Sequence, residues 1–135
     1  MSAIVEYGIH ELLSGLAGGR VYAMMAPQNV AAPFIVFQRI GGDRWRSINT
    51  PLGIAQVEIQ VDCYADEYYT MKTLAGSVEN ILDGYRNTVY YGLGSPQNSV
   101  RIAGITLQNE SEIFDQSDEP FLFRHSARYL VTYEQ

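Results

Sequence analysis

The sequence IAQVEIQVDCY, from Ile54 to Tyr64, carries the most regular pattern in the chain. From Ala55 to Cys63 apolar and polar residues alternate strictly, which is the period of a β-strand with one buried face. We therefore predict a half-buried strand whose other face meets water or a polar partner. The apolar set is Ala55, Val57, Ile59, Val61 and Cys63, and the polar set is Gln56, Glu58, Gln60 and Asp62.

A helix is predicted after this strand, and another strand before it. After Asp66, a possible N-cap, apolar residues recur at helical spacing over residues 71–82. Pro33 is predicted to open a strand over residues 34–40, because proline can begin a strand but cannot occupy the middle of a central one. Residues 44–53 show no usable period and are predicted to be a long excursion between two strands.

The two ends of the chain predict one more helix and several more strands. Residues 4–16 have apolar residues at helical spacing and are followed by Gly18 and Gly19, which stop a helix. Gly8 lies inside this helix and costs about 1 kcal/mol relative to alanine, so packing must stabilise the helix. The other β-prone segments are residues 21–24, 88–91, 100–109 and 121–133, with an acidic loop over residues 110–119 before the last one.

The order helix, two or three strands, helix, three strands indicates an α+β fold. We predict a mostly antiparallel sheet of four to six strands with two helices packed on one face. The chain has 135 residues, no internal repeat and no linker, so one domain over residues 1–135 is expected.

Charge and cysteine content argue against several classes of protein. The net charge is -6 and the pI is near 4.7, and an acidic surface repels the phosphate backbone of nucleic acids. Cys63 is the only cysteine, so an intrachain disulfide is impossible. We find neither a signal peptide nor an apolar run near the roughly 18 to 20 residues that span a bilayer. We therefore expect no membrane partner and a cytosol-like compartment.

The residues that could carry chemistry do not form a pattern typical of an enzyme. His10 and His125 lack the spacing of a metal site, and Cys63 falls in the apolar set of a strand. Glu58 and Asp62 share a strand face, but paired carboxylates act as acid and base only in a cleft that separates their pKa values. We predict no catalytic, metal-binding or cofactor-binding residue.

Two other stretches are typical of protein contacts. AMMAPQNVAAPFIVFQRIGG, residues 23–42, has adjacent methionines in a loop that two prolines hold, and these methionines fit core filler and contact residues equally well. RWR, residues 44–46, favours a protein interface over base stacking because the chain is acidic. The predicted contact residues are Met24, Met25, Gln28, Asn29, Arg44, Trp45, Arg46 and Ile48.

Several stretches together resemble one family. GGRVYAMMAPQ, APFIVFQRIGG, VEIQVDCYADEYYTMKTLAGSVENIL and the closing RHSARYLVTYEQ are similar to the tail-completion proteins, or tail terminators, of long-tailed phages and gene transfer agents. The resemblance covers nearly the whole chain. It implies a non-enzymatic virion protein at the head-tail junction, assembled in the host cytoplasm. Such a protein forms a ring, usually of six subunits, that caps the tail tube, stops its growth and joins it to the head-completion proteins.

The resemblance also implies that DNA passes through the ring without specific binding. An acidic lining suits such a conduit, because carboxylates do not trap DNA as cations do. The candidate lining residues are Glu58, Asp62, Glu110, Glu112, Asp115, Asp118 and Glu119. Two alternatives stay open: another head-tail adaptor or stopper ring and, from a different class, a small α+β ligand-binding or enzymatic domain.

Overall fold

The computed structural model describes residues 5–27, 30–46, 51–91, 98–115 and 122–134, and only the backbone of residues 42–46, 51–53 and 115. The described chain forms two α-helices, a short 3-10 turn and six β-strands. In chain order these are α1 (Val5–Leu13), the 3-10 turn (Ala17–Gly19), β1 (Val21–Ala23), β2 (Phe34–Arg46), β3 (Pro51–Ala65), α2 (Tyr68–Leu82), β4 (Asn87–Tyr91), β5 (Asn98–Asp115) and β6 (Leu122–Glu134).

All six strands belong to one mixed sheet with the order β1-β2-β3-β6-β5-β4. β1 runs parallel to β2, and the other neighbouring strands pair antiparallel. The prediction of a mostly antiparallel sheet is therefore corrected to a mixed sheet. The apolar pattern of β1 indicates a strand but says nothing about its direction, which depends on how the connection to β2 returns along the sheet.

The alternating pattern of β3 is confirmed. Its apolar residues are almost inaccessible, and β3 lies between β2 and β6 in the interior of the sheet. The polar residues of β3 are half-buried on the opposite face, except for Asp62, which is buried. Because cross-strand neighbours share a face, β3 fixes which side of β2 and β6 turns to the core. The residues of β3 on the core face are Ala55, Val57, Ile59, Val61, Cys63 and Ala65.

Two strands are longer than the sequence predicts. β2 continues to Arg46 and pairs with β3 as far as Pro51, so much of the predicted excursion over residues 44–53 is strand. β5 continues to Asp115 and pairs with β6, so the first part of the predicted acidic loop is strand as well. In both places a partner strand supplies the backbone hydrogen bonds, which overrides the weak local propensity. Bulges interrupt the register of both strands.

Both helices contribute to one hydrophobic core that also contains residues from every strand. α1 contacts β1, β4 and β5, α2 contacts β3, β5 and β6, and the helices contact each other. That both pack on one face stays a prediction. The prediction that Asp66 caps α2 is wrong, because Glu67 holds the N-cap position, without a side-chain hydrogen bond. Neither described helix is long and apolar enough to cross a bilayer.

Gly8 allows α1 to approach the sheet closely. A Cβ atom added at Gly8 would lie 2.7 Å from Cγ1 of Val100 on β5 and 3.8 Å from Cβ of Val89 on β4. The first distance is well below carbon-carbon contact, which is about 3.5 to 4.0 Å. The glycine that weakens the isolated helix is therefore required where the helix meets the sheet.

Candidate subunit-contact surface

The connection between β1 and β2 is fixed at its end by Arg20, the residue before β1. The Nε atom of Arg20 donates a hydrogen bond to the carbonyl oxygen of Pro33 at 2.9 Å. The carbonyl oxygen of Arg20 accepts one from the backbone N–H of Ile35, also at 2.9 Å. Arg20 therefore holds the β2 end of this connection beside the start of β1, and the connection contains the predicted contact residues Met24 and Met25.

Met24 and Met25 lie on a tight turn at the end of β1. The N–H of Met24 donates to the carbonyl oxygen of Phe37 on β2 at 2.8 Å, and the N–H of Met25 donates to that of Ala23 at 2.8 Å. The second bond closes a three-residue turn centred on Met24, whose φ of 71° is uncommon for a residue other than glycine. The side chains are 68% and 76% exposed. They are not core filler of this subunit, and their role in contacts stays a prediction.

The second predicted contact group lies along the same edge of the sheet as the methionine turn. β1 pairs with β2 only over residues 35–37, and residues 44–46 lie farther along β2, where they pair with the start of β3. The structure thus brings the two groups to one edge. The side chains of Arg44, Trp45 and Arg46, and all of Gln28, Asn29 and Ile48, lie outside the described residues.

Asp62, one of the predicted lining residues, is buried and already paired. Its Oδ2 atom lies 3.2 Å from Nη2 of Arg124 on β6, and its two oxygens accept from Nε2 of Gln60 at 3.3 and 3.2 Å. Arg124 also lies over the ring of Tyr64, 5.8 Å from its centroid, and its Nε atom is buried without a hydrogen-bond partner among the described residues. Asp62 therefore acts within the sheet, and Glu58 on the same face is half-buried.

Glu110 and Glu112 lie on the face of the sheet that contacts α2. Glu112 accepts hydrogen bonds from Nζ of Lys72 at 2.6 Å and from the hydroxyl of Tyr68 at 2.7 Å. These bonds, first that of Lys72, hold the pKa of Glu112 below its usual value, and Glu112 raises the pKa of Lys72. Glu110 Oε2 lies 3.4 Å from Nε2 of the buried His125.

The predicted acidic lining is divided between the two faces of the sheet. Glu112 is opposite His125, which is opposite Cys63 on the core face of β3, whereas Asp62 and Glu58 belong to the other face. Cross-strand neighbours share a face, so the two acidic sets cannot line one continuous surface. The side chain of Asp115, and all of Asp118 and Glu119, lie outside the described residues.

Cysteine and histidine are catalytic or metal-binding residues in many proteins, but Cys63 and His10 have structural surroundings in this one. Cys63 is a core residue, as predicted, and burial, with a smaller effect of the Asp62 charge, raises the pKa of its thiol to about 12. His10 Nε2 is 3.2 Å from the carbonyl oxygen of Val21, which ties α1 to β1. Within the described parts of the chain, no three His, Cys, Asp or Glu residues are placed to hold a metal ion.

An apolar groove lies between the end of α1 and α2. It encloses about 350 Å³ and is lined mainly by small and apolar residues, including Leu16, Pro33 and Leu74. Tyr69 at its rim is 79% exposed. Its described lining residues include no charged side chain, whereas an enzymatic site places convergent polar groups on its substrate. It is a surface depression suited to apolar contact.

Several exposed apolar residues were not predicted as contact candidates. Tyr69 lies in the first turn of α2 outside the apolar stripe, and Tyr90 lies on the edge strand β4. Ile113 and Phe114 are 46% and 43% exposed at the end of β5. The sequence signal for Ile113 and Phe114 is a pair of apolar residues inside an acidic segment, which the prediction of an acidic loop over residues 110–119 leaves unexplained.

Comparisons with known proteins give one family match and one similar fold. The family model described as "Tail completion protein gp17" matches residues 10–134. Among solved structures, the fold is similar to that of a chain in "Virion of native gene transfer agent (GTA) particle", with a TM-score of 0.64 and 16% identity, over 98% of this chain and 96% of that chain. No curated protein sequence matches. Because the family match covers all six described strands, the whole of α2 and the end of α1, the chain belongs to the tail completion protein gp17 family.

Proposed function

We propose that this chain forms a homomeric ring of six subunits that caps the tail tube, ends its elongation and joins the tail to the head-completion proteins. The observation that carries the proposal is the family match over residues 10–134. The function is structural: the chain works through its surfaces, as expected for a tail-completion protein.

The distribution of exposed apolar residues supports a ring. A closed ring uses heterologous contacts, so each subunit must present two different surfaces to its two neighbours. Met24 and Met25 are exposed next to the β2 edge of the sheet, whereas Ile113 and Phe114 are exposed on β5 toward the other edge. The two sets lie on different strands and differ in chemistry, which fits a head-to-tail arrangement.

In this proposal DNA passes through the opening of the ring without specific binding. Glu58 is the better candidate for the lining on the face opposite the core, because Asp62 is buried against Arg124. The net charge of -6 favours passage, since a conduit with a basic lining would hold the phosphate backbone. Replacing Glu58 with lysine should leave ring assembly intact and slow DNA release from particles. A ring structure with Glu58 on its outer surface would contradict this assignment.

Electron microscopy of particles made without the protein tests the function. Loss of a terminator should give overlong tails, because nothing then stops the polymerising tube. Loss of an adaptor or stopper ring should instead give tails of normal length and DNA-filled heads that leak. Normal tail length in the absence of the protein would therefore reject the terminator role in favour of that alternative.

The mass in solution tests the wider class. The chain is measured alone and with purified tail-tube protein, by size-exclusion chromatography with light scattering. A ring, either free or formed on tube ends, is the expected result. A chain that remains monomeric and indifferent to the tube would contradict a ring protein and favour a small ligand-binding or enzymatic domain.

A further inference from the structure

Both edges of the sheet are only partly covered by their outermost strands. On one side, β1 pairs with β2 over residues 35–37, and β2 then continues to Arg46. On the other side, β4 pairs with β5 over residues 98–102, and β5 continues to Asp115. Beyond these short strands, each long strand has one side that pairs with no other described strand. An open edge of this kind can pair with another chain.

A part of each edge is also blocked by hydrogen bonds within the chain: β1 on one side, and the part of β5 just beyond β4 on the other. The carbonyl oxygens of β1 that point away from β2 are those of Val21 and Ala23, and they accept from His10 Nε2 and from the N–H of Met25. Next to β4, the carbonyl oxygen of Ile105 accepts from the N–H of Gly84, at 2.8 Å. The N–H of Leu107 donates to Oδ1 of Asp83 at 3.0 Å. The remaining open segments, residues 39–46 and 108–115, are of equal length.

These two segments have opposite charge. Residues 39–46 contain three arginines and one aspartate, whereas residues 108–115 contain two glutamates and one aspartate and no basic residue. Glu110 and Glu112 each have a basic neighbour on their own chain, but they are exposed, where a single ion pair contributes little and leaves oxygens available. Each segment also contains adjacent or nearby large apolar residues. The charge of residues 39–46 therefore complements that of residues 108–115. It would repel a second copy of residues 39–46.

We propose that residues 39–46 of one subunit pair antiparallel with residues 108–115 of the next, so that the sheet continues from subunit to subunit around the ring. This inference rests on the proposed ring and specifies its interface. The direction follows from the sheet: β2, β3, β6 and β5 alternate in direction, so β2 and a neighbour's β5 are antiparallel when the subunits share one orientation. The occupant of each edge is therefore a second copy of this chain.

The two open segments lie at different heights along the sheet. Residues 39–46 are level with the first half of β3, and residues 108–115 are level with its last residues. Joining them displaces each subunit along the strand direction relative to its neighbour. A closed barrel accommodates such a stagger by tilting its strands, typically by about 35 to 45° from its axis. The paired ring should therefore have strands inclined to its axis.

Hydrogen-deuterium exchange tests the pairing directly. Exchange is compared between the unassembled chain and assembled rings, and amides that gain a partner should slow by at least about tenfold. Residues 39–46 and 108–115 should gain protection together, while residues 98–102, already paired with β4, serve as the control and should change little. If rings form but either segment gains no protection, the proposed edge pairing is wrong. The proposed ring would not be contradicted by that result.

Charge reversal supplies the second test. One variant carries Arg44→Glu and Arg46→Glu, and the other carries Glu110→Arg and Glu112→Arg. Each should reduce the ring population by about tenfold or more at fixed concentration, because like charges then meet across the interface. The chain with all four changes should recover assembly, since the pairing is restored with its signs exchanged.

The control for charge reversal uses arginines outside the open segments. Arg101→Glu with Arg128→Glu makes the same change of charge at exposed positions and should leave assembly unchanged. Circular dichroism confirms that every variant is folded. The pairing would be overturned if both double variants still form rings. It would also be overturned if the variant with all four changes is folded but does not recover assembly. A wild-type chain that stays monomeric even with tail-tube protein would overturn the ring and the pairing with it.

Discussion

Replacing Gly8 with alanine should destabilise the fold although alanine is the better helix former. The substitution gains about 1 kcal/mol of helix propensity. It also places a Cβ atom 2.7 Å from Cγ1 of Val100, which is 1% exposed and, being β-branched, has little rotamer freedom to move aside. Overpacking of this kind costs about 1 to 3 kcal/mol. The net result is a free energy of unfolding lower by up to about 2 kcal/mol.

Gly76 provides a matched control for this prediction. It lies in the interior of α2, is exposed, and has no atom within 4 Å of an added Cβ. Gly76→Ala should therefore gain the propensity alone, about 1 kcal/mol. The difference between the two variants isolates the packing cost, so it should be about 1 to 3 kcal/mol.

The assay is urea unfolding followed by far-UV circular dichroism at one protein concentration, because association would add to apparent stability. Val100→Ala removes the atom that the new Cβ meets, so the double variant Gly8→Ala/Val100→Ala should lose about 1 kcal/mol less than the sum of the single variants. If Gly8→Ala is as stabilising as Gly76→Ala, the close approach of α1 to the sheet is refuted.

Three further predictions concern single side chains. Met25→Asp should change the free energy of unfolding by less than about 0.5 kcal/mol, because the side chain is exposed, and should reduce the ring fraction in light scattering; unaltered assembly would argue against a contact there. Asp62→Ala should lower the free energy of unfolding by about 1 to 3 kcal/mol in urea titration, because it leaves Arg124 without its carboxylate. Asp62→Asn should lose less, and an Ala variant of wild-type stability would contradict the pairing. Cys63 should resist iodoacetamide in the folded protein and react in denaturant, since its pKa is raised to about 12 by burial; mass-spectrometric labelling without denaturant would show that the core is accessible.

The central strand and the second helix could be predicted because their patterns are local. β3 has a strict period of two, and the apolar stripe of α2 recurs at helical spacing, so burial of residues such as Cys63 and Leu82 follows from sequence alone. The ends of β2 and β5 could not, because residues 44–46 and 110–115 are strands only by virtue of their partners. β-propensity is a property of one segment of sequence, whereas the hydrogen-bond ladder of a sheet requires two paired strands.

The candidate contact surface could be predicted only in part, because the exposure and the partners of its residues also depend on how the strands pair. Exposure of Met24 and Met25 depends on where β1 docks, which a loop sequence does not reveal. Asp62 belongs to the polar face of its strand, but its partner Arg124 is 62 residues away, and only the β3-β6 pairing brings them together. The separation of the acidic residues onto two faces likewise depends on a bulge in β5, which shifts the alternation by one residue.

The position of β6 determines when this protein can become complete during synthesis. β6 leaves the ribosome after the other five described strands, yet it lies between β3 and β5 and joins the two halves of the sheet. Until it emerges, β1, β2 and β3 have no described strand that links them to β4 and β5. Contacts between such distant segments form late and slowly. A nascent chain that ends before β6 therefore lacks the continuous sheet, and we expect that it cannot present both sheet edges in their final arrangement.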